Sequence, residues 1–201
     1  MSVTDASTAE SGRRRPARER LLAAAARRFY ADGVAATGID TITTEAGVAK
    51  MSLYNNFSSK ADLVRAYLDA RHEEWLGLYR ARLEQAAGPR DGVLSVFDAY
   101  ADHAAFAYEH GFRGCGLLNA AAELPAGDEG RAVVRAHKEE VERLIAGHLE
   151  QLLPGRPGEA HALAEHLAFL LEGAMARAGL EGDGDRLQHA RSLAAALLDR
   201  L

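Results

Sequence analysis

The chain has 201 residues, 48% of them hydrophobic, and a net charge of −5. That is enough apolar material for one large or two small domains with a real core. A single cysteine, Cys115, excludes an intramolecular disulfide and a cysteine-based zinc site, and no apolar run reaches membrane-spanning length. With no N-terminal stretch resembling a signal peptide, a cytoplasmic protein is expected. Alanine, leucine and arginine dominate and no alternating Val/Ile/Thr run of strand length occurs, so the expected fold class is all-α, with about nine helices.

Charge is divided unevenly along the chain. Residues 1–60 carry nine Lys/Arg against six Asp/Glu, whereas residues 61–201 carry fifteen against twenty-three. The N-terminal end is therefore basic, at +3, and the remainder acidic, at −8. A basic end suits a polyanion, and an acidic remainder argues against a general DNA-coating protein.

Residues 1–12, rich in Ser, Thr and Ala without apolar periodicity, are expected to be a disordered tail. Arg13, Arg14, Arg15, Arg18 and Arg20 follow, either as a solvated charge run or as an arm reaching phosphates or the minor groove. Pro16 suits the first turn of helix one, Leu22, Ala25, Ala26 and Phe29 form its buried stripe, and Gly33 ends it.

Thr37 begins a Thr-x-x-Asp capping box with Asp40, which predicts a second helix to Ala46 with Ile39, Ile42 and Ala46 on one apolar face. Gly47 can take the left-handed conformation that ends it. A third helix then turns Val48, Leu53 and Phe57 inward and leaves Lys50, Met51, Ser52, Tyr54, Asn55 and Asn56 outward. Ala49 gives that helix no side-chain cap. The outward types suit duplex DNA: an amide such as Asn56 for adenine, Met51 for a thymine methyl, Ser52 for a base or phosphate, Lys50 and Tyr54 for the backbone. Ser59 caps the next helix with Asp62 at its third position, placing Lys60 in a first turn that suits a phosphate.

Two short helices joined at a glycine and followed by a capped third make a helix-turn-helix. The run Gly47-Val48-x-Lys50-x-Ser52-Leu53-Tyr54-x-x-Phe57-x-Ser59-Lys60 resembles the DNA-binding signature of the TetR (tetracycline repressor) family of transcriptional regulators, with motif-level likeness over residues 15 to 65. The resemblance implies an all-helical homodimer, an N-terminal DNA-binding domain (residues 13–59) and a C-terminal ligand-binding and dimerisation domain (residues 60–201). Asp40, where relatives carry a residue able to contact DNA, is expected to serve the cap instead.

The rest of the chain reads as six further helices. The fourth runs from Ser59 to about Ala87, and Gly88-Pro89-Arg90 breaks it. Val93 to His110 forms the fifth, Leu117 to Leu124 a short sixth stopped by Pro125, and Glu129 to Leu153 the seventh. Glu159 to Ala178 and Asp185 to Arg200 are the last two, and their Leu163, Leu167, Leu170, Leu171, Leu193 and Leu197 are expected to meet a second copy in a two-fold four-helix bundle.

A regulator needs a second site. Trp75, Phe97, Tyr100, His103, Phe106, Phe112, Asn119, Phe169 and Glu172 are candidates to line a mainly apolar effector pocket, each with plain core packing as the alternative. In the loop His110 to Gly116, two glycines could bring backbone close to a ligand, and Cys115 is read as a small buried hydrophobe or, less simply, an oxidant sensor. No cofactor and no metal are expected, since the chain lacks nucleotide-binding glycine loops, paired metal-ligand histidines and a nucleophile elbow. The function read from these features is a dimeric repressor that binds a near-palindromic operator on double-stranded DNA and is released by a small hydrophobic effector. An interaction module whose helix-turn-helix no longer reads sequence stays open as the alternative.

Overall fold

The structure, a computed structural model, describes residues 5–106 and 108–201, with side chains from Pro16 onward. The described residues form nine helices and no strand: α1 (Asp5–Asp32), α2 (Ile39–Ala46), α3 (Lys50–Tyr54), α4 (Lys60–Leu83), α5 (Pro89–Ala104), α6 (Gly116–Glu123), α7 (Glu129–Leu152), α8 (Pro157–Glu181) and α9 (Asp185–Leu198). Among these residues no helix is long and apolar enough to cross a membrane.

The first helix starts earlier than expected. Residues 5–12 continue α1 rather than forming a disordered tail, because once a helix is nucleated by packed residues each added alanine or glutamate extends it at little cost. Residues 1–4 of that tail lie outside the described residues. Pro16 consequently falls inside the helix and not in its first turn. Leu21 and Ala24 are fully buried in α1, whereas Leu22 and Ala26 are only half-buried, so the stripe is rotated from the expected one.

Three starts and stops follow local chemistry. Gly47 ends α2 at φ 61°, ψ 42°, and its N–H bonds back into the helix. The Ser59 hydroxyl accepts from Asp62 N at 3.1 Å, while the Asp62 carboxylate takes Ser58 N at 2.8 Å. Asp128, not anticipated as a cap, accepts from Gly130 N at 2.8 Å and starts α7.

The Gly88-Pro89 break is also the start of α5, which opens four residues before Val93 because proline at the first helical position gives up an N–H that had no partner there anyway. The same helix stops at Ala104, short of His110; Ala107, expected in it, lies outside the described residues. α5 is the central element, with Val93, Leu94, Val96, Phe97, Ala99 and Tyr100 all buried, and it packs on α4, α7 and α9. α7 and α8 lie together, α9 covers α5 and α8, and α1 bridges the small N-terminal helices to α4 and α6.

Candidate nucleic-acid interface and internal cavity

α1, α2 and α3 pack as a unit around Leu21, Ile42, Leu53 and Phe57, which are at most 2% exposed. Arginines of α1 brace it: Arg18 lies over the Phe57 ring at 4.9 Å, and Arg20 donates to the Gly47 carbonyl at 3.1 Å. Both arginines are thus engaged in holding the head together, and the side chains of Arg13, Arg14 and Arg15 lie outside the described residues.

α3 presents Lys50, Met51 (69% exposed), Tyr54 and Asn55 to solvent, with Ser52 and Asn56 half-buried beside them and Lys60 at the start of α4. Two of these are already engaged. Asn56 Nδ2 donates to Ser52 O at 2.7 Å, closing the uncapped helix, and Lys50 Nζ lies 2.8 Å from Asp40. Asp40 therefore serves an ion pair rather than the cap, and this hydrogen bond raises the Lys50 pKa. Ala49 leads into α3 with no side-chain cap.

Thr37 leaves the group of DNA-facing residues. It is buried, two positions before α2, and its hydroxyl donates to Gly33 O at 2.6 Å and contacts Arg28 O at 3.3 Å. Gly38 occupies the capping position without a side-chain bond. The hydroxyl is drawn away because the Gly33 carbonyl, just past the end of α1, is within reach, and burial makes satisfying it more valuable than a solvent-exposed cap.

A cavity of about 320 Å³ lies where α1 meets α4, α5, α6 and α7. Of the candidate lining residues, Trp75, Tyr100, His103 and Phe106 are in its wall. Five are not. Phe97 is core between helices, and Phe112 is buried against Tyr108, ring centroids 5.9 Å apart. Asn119 donates to Arg113 O at 3.0 Å. Phe169 is 66% exposed on α8, and Glu172 sits behind the wall, 2.7 Å from Lys138 Nζ. Periodicity marks a side chain as inward or outward but does not separate packed core from cavity wall, which is why these were misplaced.

The wall residues that the sequence reading passed over carry most of the polarity: Arg27 and Tyr30 from α1, Tyr67 and Arg71 from α4, Tyr108, and His137 from α7. Tyr67, Arg71 and Trp75 succeed one another at four-residue spacing, one face of α4. Their Tyr67 Oη, Arg71 Nε and Trp75 Nε1 atoms are buried without a hydrogen-bond partner. Gly116 makes room for Tyr67 and Tyr30, since a Cβ there would stand 2.9 Å from Tyr67 Oη and 3.0 Å from the Tyr30 ring. Gly114 instead lies against backbone: at φ 81° it faces Gly179 of α8, whose added Cβ would come within 2.7 Å of the Gly114 Cα.

Burial sets the charge states around the cavity. It pushes the Tyr30 phenol up to about 12 and raises Tyr67, Tyr100 and Tyr108 as well, so these are neutral donors. Burial, with Lys138, His72 and His103 nearby, drives His137 down to about 2, leaving it uncharged between His72 Nδ1 at 2.8 Å and Tyr100 Oη at 3.2 Å. Burial alone would raise Glu74, but His103 at 3.2 Å and Arg71 at 2.8 Å hold it below the usual carboxylate range. Cys115 is buried in the wall with Lys138 Nζ at 3.7 Å.

Two clamps tie α1 to this region. Arg113 Nη1 donates to Tyr30 O at 2.8 Å and Ala31 O at 2.5 Å, while the Arg113 N–H donates to Tyr30 Oη at 2.6 Å. Glu123 at the end of α6 accepts from Val34 N at 3.1 Å and Ala35 N at 2.6 Å, holding the turn that leads to α2.

At the other end, Leu167 and Leu171, expected between two copies, are fully buried within one chain, and Leu163 and Leu170 are half-buried against the same core. Leu193 is exposed and Leu197 half-buried on α9. The outward apolar stripe is instead Phe169, Gly173, Ala176 and Leu180 of α8, with Leu180 85% exposed, continued by Leu193 and Ala196 of α9. A helix that is apolar on two faces gives both registers in its periodicity, so the inward and outward sets could not be told apart.

Comparison with known proteins agrees in fold and in the N-terminal motif. The family model described as "Bacterial regulatory proteins, tetR family" matches residues 21–67. The crystal structure of SCO4454, a TetR-family transcriptional regulator from Streptomyces coelicolor, is 34% identical, with a TM-score of 0.79 over 92% of this chain and 95% of that one. Among curated proteins, the HTH-type transcriptional regulator TtgR of Pseudomonas putida is 44% identical over 64 residues, 32% of this chain and 30% of TtgR. The HTH-type transcriptional activator FasR of Mycolicibacterium smegmatis is 34% identical over 110 residues, 53% of this chain and 48% of FasR. The chain therefore spans less than half the length of these curated relatives.

Proposed function

We propose that this chain, which belongs to the TetR family of transcriptional regulators, is a dimeric repressor that reads a near-palindromic operator and lets go when a small molecule fills the cavity between α1 and α4 to α7. The observation that carries this reading is the shared wall. Ala26, Arg27 and Tyr30 of α1 line the cavity, and α1 is the helix on which α2 and α3 are built. A ligand pressing on Tyr30 strains the Arg113 clamp, and through α1 it changes how α3 is presented.

Two reading heads must sit about one DNA turn apart, ~34 Å, so a modest rotation of each α1–α4 pair spoils the fit. The coupling required is of order ~1–3 kcal/mol. Lys50, Tyr54 and Lys60 serve as backbone contacts, and Met51, Ser52, Asn55 and Asn56 as the residues nearest base edges. Dimerisation uses the outward stripe of α8 and α9, where Gly173 and Ala176 let two helices approach closely and Phe169, Leu180 and Leu193 supply apolar area.

Fluorescence anisotropy with labelled duplexes tests this. The expected result is a preference for one two-fold symmetric site over scrambled DNA by ~4–10 kcal/mol, two chains per site. Equal binding to both duplexes, with the same salt dependence, would move the interaction-module reading ahead.

A further inference from the structure

The class of molecule the cavity accepts can be read from its unsatisfied groups. Aromatic faces from Tyr30, Trp75, Tyr100, Phe106 and Tyr108 form a wall suited to a planar ring, and about 320 Å³ is at the small end for ligand pockets. Along one face of α4, Tyr67 Oη, Arg71 Nε and Trp75 Nε1 are three buried donors with nothing to donate to. Buried donors are normally paired, and leaving one unpaired costs about 1–3 kcal/mol, so three in one wall point to an acceptor supplied from outside the chain.

Charge separates the candidates further. Aromatic walls can also hold a cation, but a cation needs a free carboxylate or at least no competing positive charge. The charged residues of the wall are Arg27, Arg71 and Glu109; Arg27 is paired with Glu45, and the carboxylates are taken. Glu74 is shared between Arg71 and His103, and Glu109 is held by Arg28. His137 adds no charge of its own in its buried, neutral state.

Building on the effector-site reading above, we infer that the cavity takes a small planar aromatic anion, a one- or two-ring carboxylate or phenolate. Its acidic group accepts from Arg71 Nε, with Tyr67 Oη and Trp75 Nε1 the donors one turn to either side, while its ring packs among the wall aromatics. Arg71 gives the selectivity, because a charge-assisted hydrogen bond is about twice as strong as a neutral one.

The test is isothermal titration calorimetry of the full chain with three matched probes: 2-naphthoate, 2-naphthamide and 2-naphthyl-trimethylammonium. Naphthoate should bind at least tenfold more tightly than the amide, and the cation least. Arg71→Met, which keeps an apolar stem, should weaken naphthoate at least tenfold and the amide much less, so that most of the difference between the two is lost. Trp75→Phe, which keeps a ring and removes one donor, should weaken naphthoate several-fold and gives a second readout should the Arg71 variant misfold. The inference is overturned if the amide or the cation binds as tightly as the acid, or if no probe binds. Operator release separates the two readings: a cation or amide that binds and frees DNA leaves the cavity as effector site and removes only the anion preference. A bound naphthoate that never frees DNA supports the chemistry assigned to the cavity and contradicts its role as effector site.

Discussion

Replacing Lys138 with Met would leave Glu172 of α8 facing the interior without its cation. The Lys138 ammonium lies 2.7 Å from Glu172 Oε1, 3.2 Å from Tyr100 Oη and 3.7 Å from Cys115 Sγ, so all three of its protons have partners and the pair fastens α7 to α8 beside the cavity. Breaking a fully buried ion pair costs about 3–5 kcal/mol, and an exposed one contributes about 0–1 kcal/mol. With side-chain exposures of 20% and 32%, the pair falls between these limits. We therefore expect Lys138→Met to destabilise the fold by roughly 2 kcal/mol, which for a chain of this size lowers Tm by about 4–8 °C. Glu172→Leu should cost about as much, whereas the double variant should cost less than the sum, because no charge is then left unpaired. Urea unfolding followed by the fluorescence of Trp75, the chain's one tryptophan, gives the values, with protein concentration held fixed because the stability of the proposed dimer depends on it. If each single change cost under about 0.5 kcal/mol and the two added simply, the pair would be solvated in practice and the reasoning refuted.

Four further outcomes are expected. Asp40→Asn releases Lys50 from its 2.8 Å pair and removes a negative charge from the reading head; DNA affinity should rise and the salt slope steepen by up to ~0.9, whereas unchanged binding in a salt titration would place Lys50 away from phosphate. His137 has a folded-state pKa of about 2 against an ordinary 6.5, so below pH 6.5 the unfolded chain takes up the proton first and stability is lost as pH falls, by up to about 1.4 kcal/mol per unit. Urea midpoints between about pH 7 and 5 should show that slope, and His137→Gln should flatten it. Phe169→Glu, on the outward stripe of α8, should yield monomers in sedimentation and weaken operator binding; a persistent dimer would move the interface elsewhere. Tyr54→Ala or Lys60→Ala should weaken binding to every duplex, while Met51→Ala or Asn56→Ala should shift which bases are selected, and the opposite pattern would reverse the assigned roles.

Legibility in the sequence followed the range of the interactions. Gly47 and the Ser59–Asp62 cap depend on neighbours within four residues, and both are read from local spacing. Leu53 and Phe57 are inward at that spacing too. Thr37 has the right neighbour in Asp40 for a cap, yet its hydroxyl bonds back to Gly33 O, also four residues or fewer away, and spacing alone does not say which of two local partners wins. Pro89 is a helix breaker after α4 and a helix starter for α5, and composition marks the boundary without saying on which side of it the next helix begins. The cavity wall was hardest, because Tyr30, Tyr67, Arg71 and His137 come from three helices far apart in the chain and carry the same periodic signature as core. A half-buried arginine in line with Tyr67 and Trp75, as at Arg71, is the one signal in the sequence that points to it.

The most direct test of the account is selection of bound sequences from random duplex DNA by the purified chain at near-physiological salt. The account predicts enrichment of a two-fold symmetric site with half-sites centred about 10 base pairs, or a multiple of one DNA turn, apart, as two α3 helices in successive major grooves require. Selection that enriches nothing, with binding that fades evenly as salt rises, would contradict it.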